Sequence, residues 1–414
     1  MRKVLGIIAE YNPFHNGHFY HIQESKKNAE ADYCICIISG NFTQRGEPSI
    51  VDKWSKAYMA LCCGADLVIE LPTIYSISSA ENFASGAIKI LDSLKIVTDI
   101  SFGAECSDLA TLNNIANVLY SEPIEYKALL SHELKKGTSY PVARENAIMM
   151  YLNDIKRYAN VLSNSNNILA IEYLKALKNQ KSDINPIIIP RKKVYYNDEK
   201  IVDDFASATA IRTLMVNKEY AEVRKVVPRS TYQIIGEEFK KQHIILGIKA
   251  YEKEIIYALR KMTIDEIAQL PDVCEGLEFS IKRAADEANN IEEIIAKIKS
   301  KRYTQTRIQR ILLYVLLGIN KKDMEISKKI LPYTRILGFN SKGRKLISEI
   351  MKRNSKLNMI TSVSKFVKEK ATRCNRQLMQ MLNLDIMSTN IYTLGYKNES
   401  KANLDYTNNM IIIK

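Results

Sequence analysis

The sequence predicts an α/β fold: a parallel sheet first, then a mainly helical domain, then a small C-terminal mixed region. Three observations lead there. Short apolar β runs alternate with helical patterns through the first half of the chain, and from about Tyr220 the pattern turns to helices alone. The length of 414 residues exceeds one compact core of ordinary size and suits two or three. Strand–helix alternation at this spacing predicts parallel strands with helices on both faces.

Taken in order, residues 3–9 read as the first strand, a short apolar run that stops at Glu10. Residues 18–29 follow as a helix, and residues 33–38 as a strand in which Cys34 and Cys36 alternate as inert core thiols. An amphipathic helix over 52–63 leads to a strand at 66–71, then a helix at 79–91 and a strand at 99–102. Helices at 110–119 and 166–177 and a strand at 186–189 complete the alternation. In the helical part, Thr263 with Glu266 forms a capping-box signature, and Asn290 with Glu293 starts a helix in the same way. We therefore divide the chain into residues 1–230, 231–330 and 331–414, the last ending in a candidate late strand at 410–413.

Composition narrows the class. With 46% hydrophobic and 26% charged residues the chain reads as soluble and globular. No apolar run approaches the roughly 20 residues of a membrane-spanning helix. The basic start and short apolar stretch are interrupted by Glu10, Asn12 and His15, too early for a secretory segment. The seven cysteines show no CxxC and no metal-ligand spacing, which points to a reducing compartment, the cytoplasm, and to no protein-held metal. The formal net charge of +14 fits either a polyanion partner or simple enrichment in lysine.

The chemistry concentrates where the first strand turns into the first helix. His15-Asn16-Gly17-His18 sits there, and with His21 it holds three of the five histidines. A helix N-terminus offers unpaired N–H groups and partial positive charge to a phosphate. Pro13 stiffens the turn, and Gly17 leaves room for a phosphate to approach. His15 and His18, one turn apart, can face the same phosphate oxygens and steady charge developing during in-line displacement. Far along the chain Ser207-Ala208-Thr209-Ala210-Ile211-Arg212 enters a helix at Thr213 and, taken alone, reads as a capped helix start.

This HxGH signature, followed by the Ser/Thr-Arg stretch, resembles the nucleotidyltransferase superfamily, which implies a Rossmann-like ATP-binding domain, attack on the α-phosphate of ATP with release of pyrophosphate, and a second grip on the phosphates from Ser207, Thr209 and Arg212. The longer strings AEYNPFHNGH, SGNFTQRGEPSIVDKW, ELPTIYSISSAENFASGA, FGAE, NNILAIEYLKAL and SKRYTQTRIQR resemble the bacterial tRNA(Met) cytidine acetate ligase family over at least residues 1–320. The resemblance implies an ATP-dependent ligase. It would activate acetate as acetyl-adenylate and acetylate N4 of the wobble cytidine of elongator tRNA(Met), giving N4-acetylcytidine. It implies ATP contacts from Ile7, Ala9, Glu10, Tyr11, Asn12, Pro13, Phe14, Asn16, Gly17 and Tyr20 around the catalytic His15 and His18. It also implies contacts from Gly103, from Asn167 or its neighbour Asn166, and from Arg191 and Lys192. Here Arg191 is followed by Lys192-Lys193 where the family has an apolar residue and glycine. Magnesium is expected with the triphosphate on charge grounds.

Gln44-Arg45-Gly46-Glu47, after the second strand at the carboxyl edge of the sheet, reaches either acetate or cytidine, or forms a plain surface turn. Arg307 and Arg310 share one helix face and suit RNA phosphates. Beyond them, residues 335–376 carry only Glu349 and Glu369 as acids among many cations, so this stretch is a candidate tRNA surface or a solvated basic face. Tyr195, Tyr196, Tyr303 and Phe339 are the aromatics available to stack on an anticodon base. Two competing functions stay in view: an adenylyltransferase acting on a small phosphate ester, and an RNA-binding protein with a vestigial nucleotide site.

Overall fold

The structure, a computed structural model, describes residues 2–191, 205–300, 302–370 and 375–414. Its centre is a sheet of β1 (Val4–Ala9), β2 (Tyr33–Ser39), β3 (Leu67–Leu71), β4 (Asp99–Ala104), β5 (Asn185–Pro190), β6 (Thr334–Phe339), β7 (Met359–Ile360) and β8 (Ile411–Ile412). The strands lie in the order β5-β4-β1-β2-β3-β6-β7, with β8 also on β6. The first five strands are mutually parallel. Every residue of β2 and β3 is buried, as expected of central strands covered on both faces. The chain winds outward from β1 through β2 and β3, then returns to place β4 on the other side of β1. That reversal opens a crevice at the carboxyl ends of β1 and β4, where sheets of this kind bind ligands.

The helices confirm their local signals. The Lys53–Cys62 helix starts at Asp52, whose carboxylate accepts from the Ser55 N–H at 2.7 Å. Thr263 and Glu266 form the expected reciprocal cap, and Asn290 accepts from the Glu293 N–H at 2.8 Å. The first helix, Asn16–Asn28, begins two residues earlier than the sequence pattern suggested, because His15 itself is its cap. Two helices between β4 and β5, Ile124–Lys135 and Tyr140–Leu152, lie in a stretch that the pattern left unassigned.

The region beyond residue 331 does not stand apart. β6 pairs antiparallel with β3, setting Leu67 opposite Phe339 and Glu70 opposite Arg335, and β8 adds to β6 beside it. The physical reason is the edge: without β6, the buried and mainly apolar β3 would expose a row of unpaired backbone groups. One hydrophobic core also runs from Ile35 and Ile37 in the sheet to Ile281 and Ile294 in the helical part. The boundaries near 230 and 330 are therefore changes of sequence pattern that packing crosses.

The join is sealed by charge. Lys53 Nζ lies 2.9 Å from Glu70 and 2.7 Å from Asp405, and Arg335 lies 3.2 Å from Glu70 while also contacting Asp405. All four side chains are buried. Two cations meet two anions, so the desolvated charges balance. No helix among the described residues is long and apolar enough to cross a membrane.

Candidate active site

The chain leaves β1 through a turn whose backbone is fixed at several points. Tyr11 takes a positive φ of 51°, and the Asn12–Pro13 peptide is cis. The Asn12 side chain accepts from the Ile50 N–H at 2.8 Å, tying this turn to the loop after β2. At its end His15 Nδ1 accepts from the Gly17 N–H at 3.0 Å, and His18 Nδ1 accepts from the His15 N–H at 3.3 Å. The two histidines thus form a capping box with each other's backbone, and their rings stack 3.7 Å apart.

Capping and catalysis are compatible here because they use different nitrogens. An Nδ1 that accepts a hydrogen bond leaves the proton of a neutral ring on Nε2. Both rings are kept neutral. Burial, then Arg191 and Arg212, depresses His15 to about 3. Burial, then His15, holds His18 well below the ordinary imidazole range. Burial, then Arg191, takes His21 to about 4, and its Nε2 lies 3.2 Å from the Ser101 hydroxyl. The turn therefore presents two uncharged N–H donors in fixed orientation. Gly17 serves this arrangement directly: a Cβ there would sit 2.9 Å from the His15 ring, so the missing side chain makes room for the cap.

Around the turn lies a cavity of about 480 Å³. Ala9, Glu10, Tyr11, Asn12, His15, Gly17, His18 and Tyr20 line it from the first turn, as do Gln44 and Arg45, Gly103, Asn166, Arg191, Ser207 and Arg212. Glu10 accepts from the Gln44 N–H at 2.6 Å, and burial raises its carboxyl against the pull of that N–H, Arg45, Lys56 and Arg212. Ser207 caps the Ala208–Val216 helix by accepting from the Ala210 N–H at 3.0 Å. That cap aims Arg212 back at the first turn, where it donates to the Asn12 carbonyl at 3.0 Å and to Glu47 at 2.9 Å. Lys56 is buried beneath, donating to the carbonyls of Gly40 at 2.6 Å and Glu10 at 3.1 Å, and burial pushes it down to about 7.

Several expected contacts lie elsewhere. Ile7 and Phe14 are fully buried in the core, and neither they nor Pro13 and Asn16 line the cavity. Asn16 instead donates to the Lys225 carbonyl at 3.0 Å. Asn167 is turned inward, accepting from the Cys106 N–H at 2.9 Å and donating to the Val161 carbonyl at 3.1 Å. Its neighbour Asn166 faces the cavity, bonded to Glu105 at 2.5 Å and to Arg191 at 3.3 Å. Thr209 is exposed beside Arg212, 3.2 Å away, outside the lining. Lys192, Tyr195 and Tyr196 lie outside the described residues.

Arg307 and Arg310 have an internal task. Arg307 donates to the Asp272 carbonyl at 3.0 Å and stacks over Tyr303 at 5.0 Å, and Arg310 pairs with the Asp272 carboxylate at 2.9 Å. They clamp the turn at 272–274 rather than standing free for phosphate. The same helix, Gln305–Leu317, reaches the cavity through Thr306. It also supports the Gln44–Arg45 loop: Gly46 has a φ of +79°, and a Cβ there would collide with the Arg310 and Gln309 backbone. The basic Ser341–Arg353 helix starts at the opposite edge of the sheet, where Lys342 donates to the Asp32 carbonyl just before β2 at 3.2 Å. Phe339 is buried in β6.

The pattern missed Thr306, Phe205 and the inner wall of Phe83, Phe102 and Tyr173, none of which carries a local signal in the sequence, whereas Glu47 lines the cavity with Gln44 and Arg45. Among the described residues no cluster of three or more His, Cys, Asp or Glu could hold a metal.

Residues 2–407 match the HIGH Nucleotidyl Transferase family. The chain is 44% identical over 419 residues to the tRNA(Met) cytidine acetate ligase of Acetivibrio thermocellus, covering 99% of this chain and 100% of the relative. It is 46% identical over 410 residues to that of Thermoanaerobacter sp., covering 99% of each. Two crystal structures of Thermotoga maritima TmcAL, each 34% identical and matched over 99% of both chains, share its fold. The TM-score is 0.94 for the apo form and 0.92 for the form bound with alpha-thio ATP. The histidine pair thus sits in a framework common to these proteins, and the chain belongs to the HIGH nucleotidyltransferases and, within them, to the tRNA(Met) cytidine acetate ligase family.

Proposed function

We propose that the chain is an ATP-dependent ligase that activates acetate and acetylates N4 of the wobble cytidine of elongator tRNA(Met). The observation that carries the chemistry is the pair of neutral histidines, each with Nδ1 tied to its own helix start, at the switch point of the sheet. The identity of the substrates rests on the relatives, which are named for this reaction. The ATP analogue bound by Thermotoga maritima TmcAL supports ATP as the activating nucleotide.

In the first step an acetate oxygen attacks the α-phosphorus of ATP. The new P–O bond forms as the bond to the β-phosphate oxygen breaks, and pyrophosphate leaves. The Nε2–H groups of His15 and His18 donate to oxygens on which charge accumulates, and as neutral rings they do so without binding the ground-state phosphate as strongly as cations would. Arg45, Arg191 and Arg212 border the same cavity and supply positive charge for the triphosphate. In the second step the cytidine amine attacks the acetyl carbonyl and AMP departs. Magnesium would travel on the triphosphate, as expected on charge grounds. The work is placed in the cytoplasm, where tRNA and ATP are at hand and free cysteines persist.

The test is pyrophosphate release from ATP with and without acetate and bulk tRNA, in the wild type and in His18→Ala. Release that depends on acetate and falls ~10²–10³-fold in the variant is the expected result. Release that ignores acetate but responds to a phosphorylated small molecule would replace the ligase with a cofactor adenylyltransferase.

A further inference from the structure

A carboxylate is an unexpected lining for a triphosphate site, because it repels what the site must hold. Glu10 is nevertheless built into the wall, immediately after β1 and among the residues that surround the histidine pair. It is held from both ends. Its carbonyl accepts from Lys56 at 3.1 Å and from the Ser39 hydroxyl at 3.3 Å, and its carboxylate Oε1 accepts from the Gln44 N–H at 2.6 Å. Among the described residues Oε2 has no hydrogen-bond partner, and the side chain opens onto the cavity. The other lining carboxylate, Glu47, is occupied by Arg212 at 2.9 Å.

An oxygen so placed is an acceptor waiting for a donor. ATP and acetate bring mostly acceptors to the site, whereas the exocyclic amine of cytosine is a donor that carboxylates recognise. We propose that Glu10 receives the cytidine N4 amine in the transfer step, orienting it and taking its proton. This rests on the ligase reading above and assigns to it a base for the second half-reaction. As the N4–C bond to the acetyl carbon forms, the acetyl C–O bond to the phosphate of AMP breaks. AMP leaves with that electron pair, one N4 proton passes to Glu10 Oε2, and Glu10 returns it to water. Burial raises the Glu10 carboxyl against the pull of the Gln44 N–H and Arg45, which makes it a better base than an exposed carboxylate.

The experiment supplies chemically prepared acetyl-adenylate to the full-length protein with elongator tRNA(Met), and separately follows acetate-dependent pyrophosphate release. For Glu10→Gln, transfer is expected to fall ~10²–10⁴-fold, while pyrophosphate release falls less than about ten-fold. Wild-type transfer should weaken as pH falls through the Glu10 titration, and the glutamine variant should lack that acid limb. Glu10→Asp keeps a carboxylate and should keep the limb at a lower rate, which separates base function from loss of structure. Equal losses in both half-reactions, or transfer in Glu10→Gln matching the wild type, would overturn the assignment. A wild type that cannot transfer from acetyl-adenylate at all would instead sink the ligase reading.

Discussion

Two parts of the molecule bury ionisable side chains, and they solve the resulting problem in opposite ways. At the carboxyl end of β1, His15, His18 and His21 shed their charge, since burial and nearby arginines depress all three. At the seam between β3 and β6, Lys53 and Arg335 instead meet Glu70 and Asp405 in direct contact, two cations against two anions. The first solution leaves hydrogen-bond donors that a ligand can use. The second leaves nothing for a ligand, and ties the C-terminal segment to the sheet. Neutral donors make a site, and matched ions make a joint.

The joint should be the more fragile to a single change. Lys53→Met would leave Glu70 and Asp405 sharing one cation in a dry interior, an imbalance that typically costs ~3–5 kcal/mol. Urea unfolding should show it, and adding Asp405→Asn should recover part of the loss by restoring the balance. A single variant as stable as the wild type would mean that water or rearrangement satisfies the cluster, and the contrast between joint and site would lose its basis.

Rising pH should move the two parts in opposite directions. His15 is neutral in the fold down to about 3, whereas in the unfolded chain it gains a proton below its ordinary 6.5. The unfolded state then binds more protons, so this contribution to stability declines as pH falls from about 6.5 towards 3. Beside the joint, Asp385 behaves in reverse, because burial raises its carboxyl from 3.8 to about 7. Its contribution is complete below about 3.8 and is lost as pH rises through about 7. Unfolding free energy measured from about pH 3 to 7 should lose a component that rises with pH in His15→Asn and one that falls with pH in Asp385→Asn. The reverse pairing of slope and variant would refute the comparison.

The smallest expected effect tests how the site is held. Gly17→Ala puts a methyl carbon against the His15 ring and should break its cap, at ~1 kcal/mol of stability. Because the same ring faces the cavity, pyrophosphate release should fall with it. Stability loss with full activity would show that the cap and the donor are separable.

What could be read beforehand depended on how local the cause was. The β1 turn with its histidines, the capping box at Thr263 and the cap at Asn290 follow from neighbours within one helical turn and are present, while the helix expected from Thr213 begins at Ala208, capped by Ser207. Asn166 and Asn167 mark the limit: one residue on a helix is about 100° of rotation, so the pattern located the pair, and packing chose which faced the cavity. Arg307 and Arg310 shared a face as expected, but Asp272, 35 and 38 residues away in sequence, claimed them.

By itself, then, the sequence determined the parallel sheet of the first half, the place of the histidine turn after β1 and the residues that build it, because caps and periodicity are short-range. Tertiary structure alone decided that Glu47 meets Arg212 across 165 residues, that Thr306 reaches the cavity, and that β6 closes the edge of β3. Those contacts come from burying an apolar edge and pairing desolvated charge over the whole molecule, and no local pattern encodes such distances.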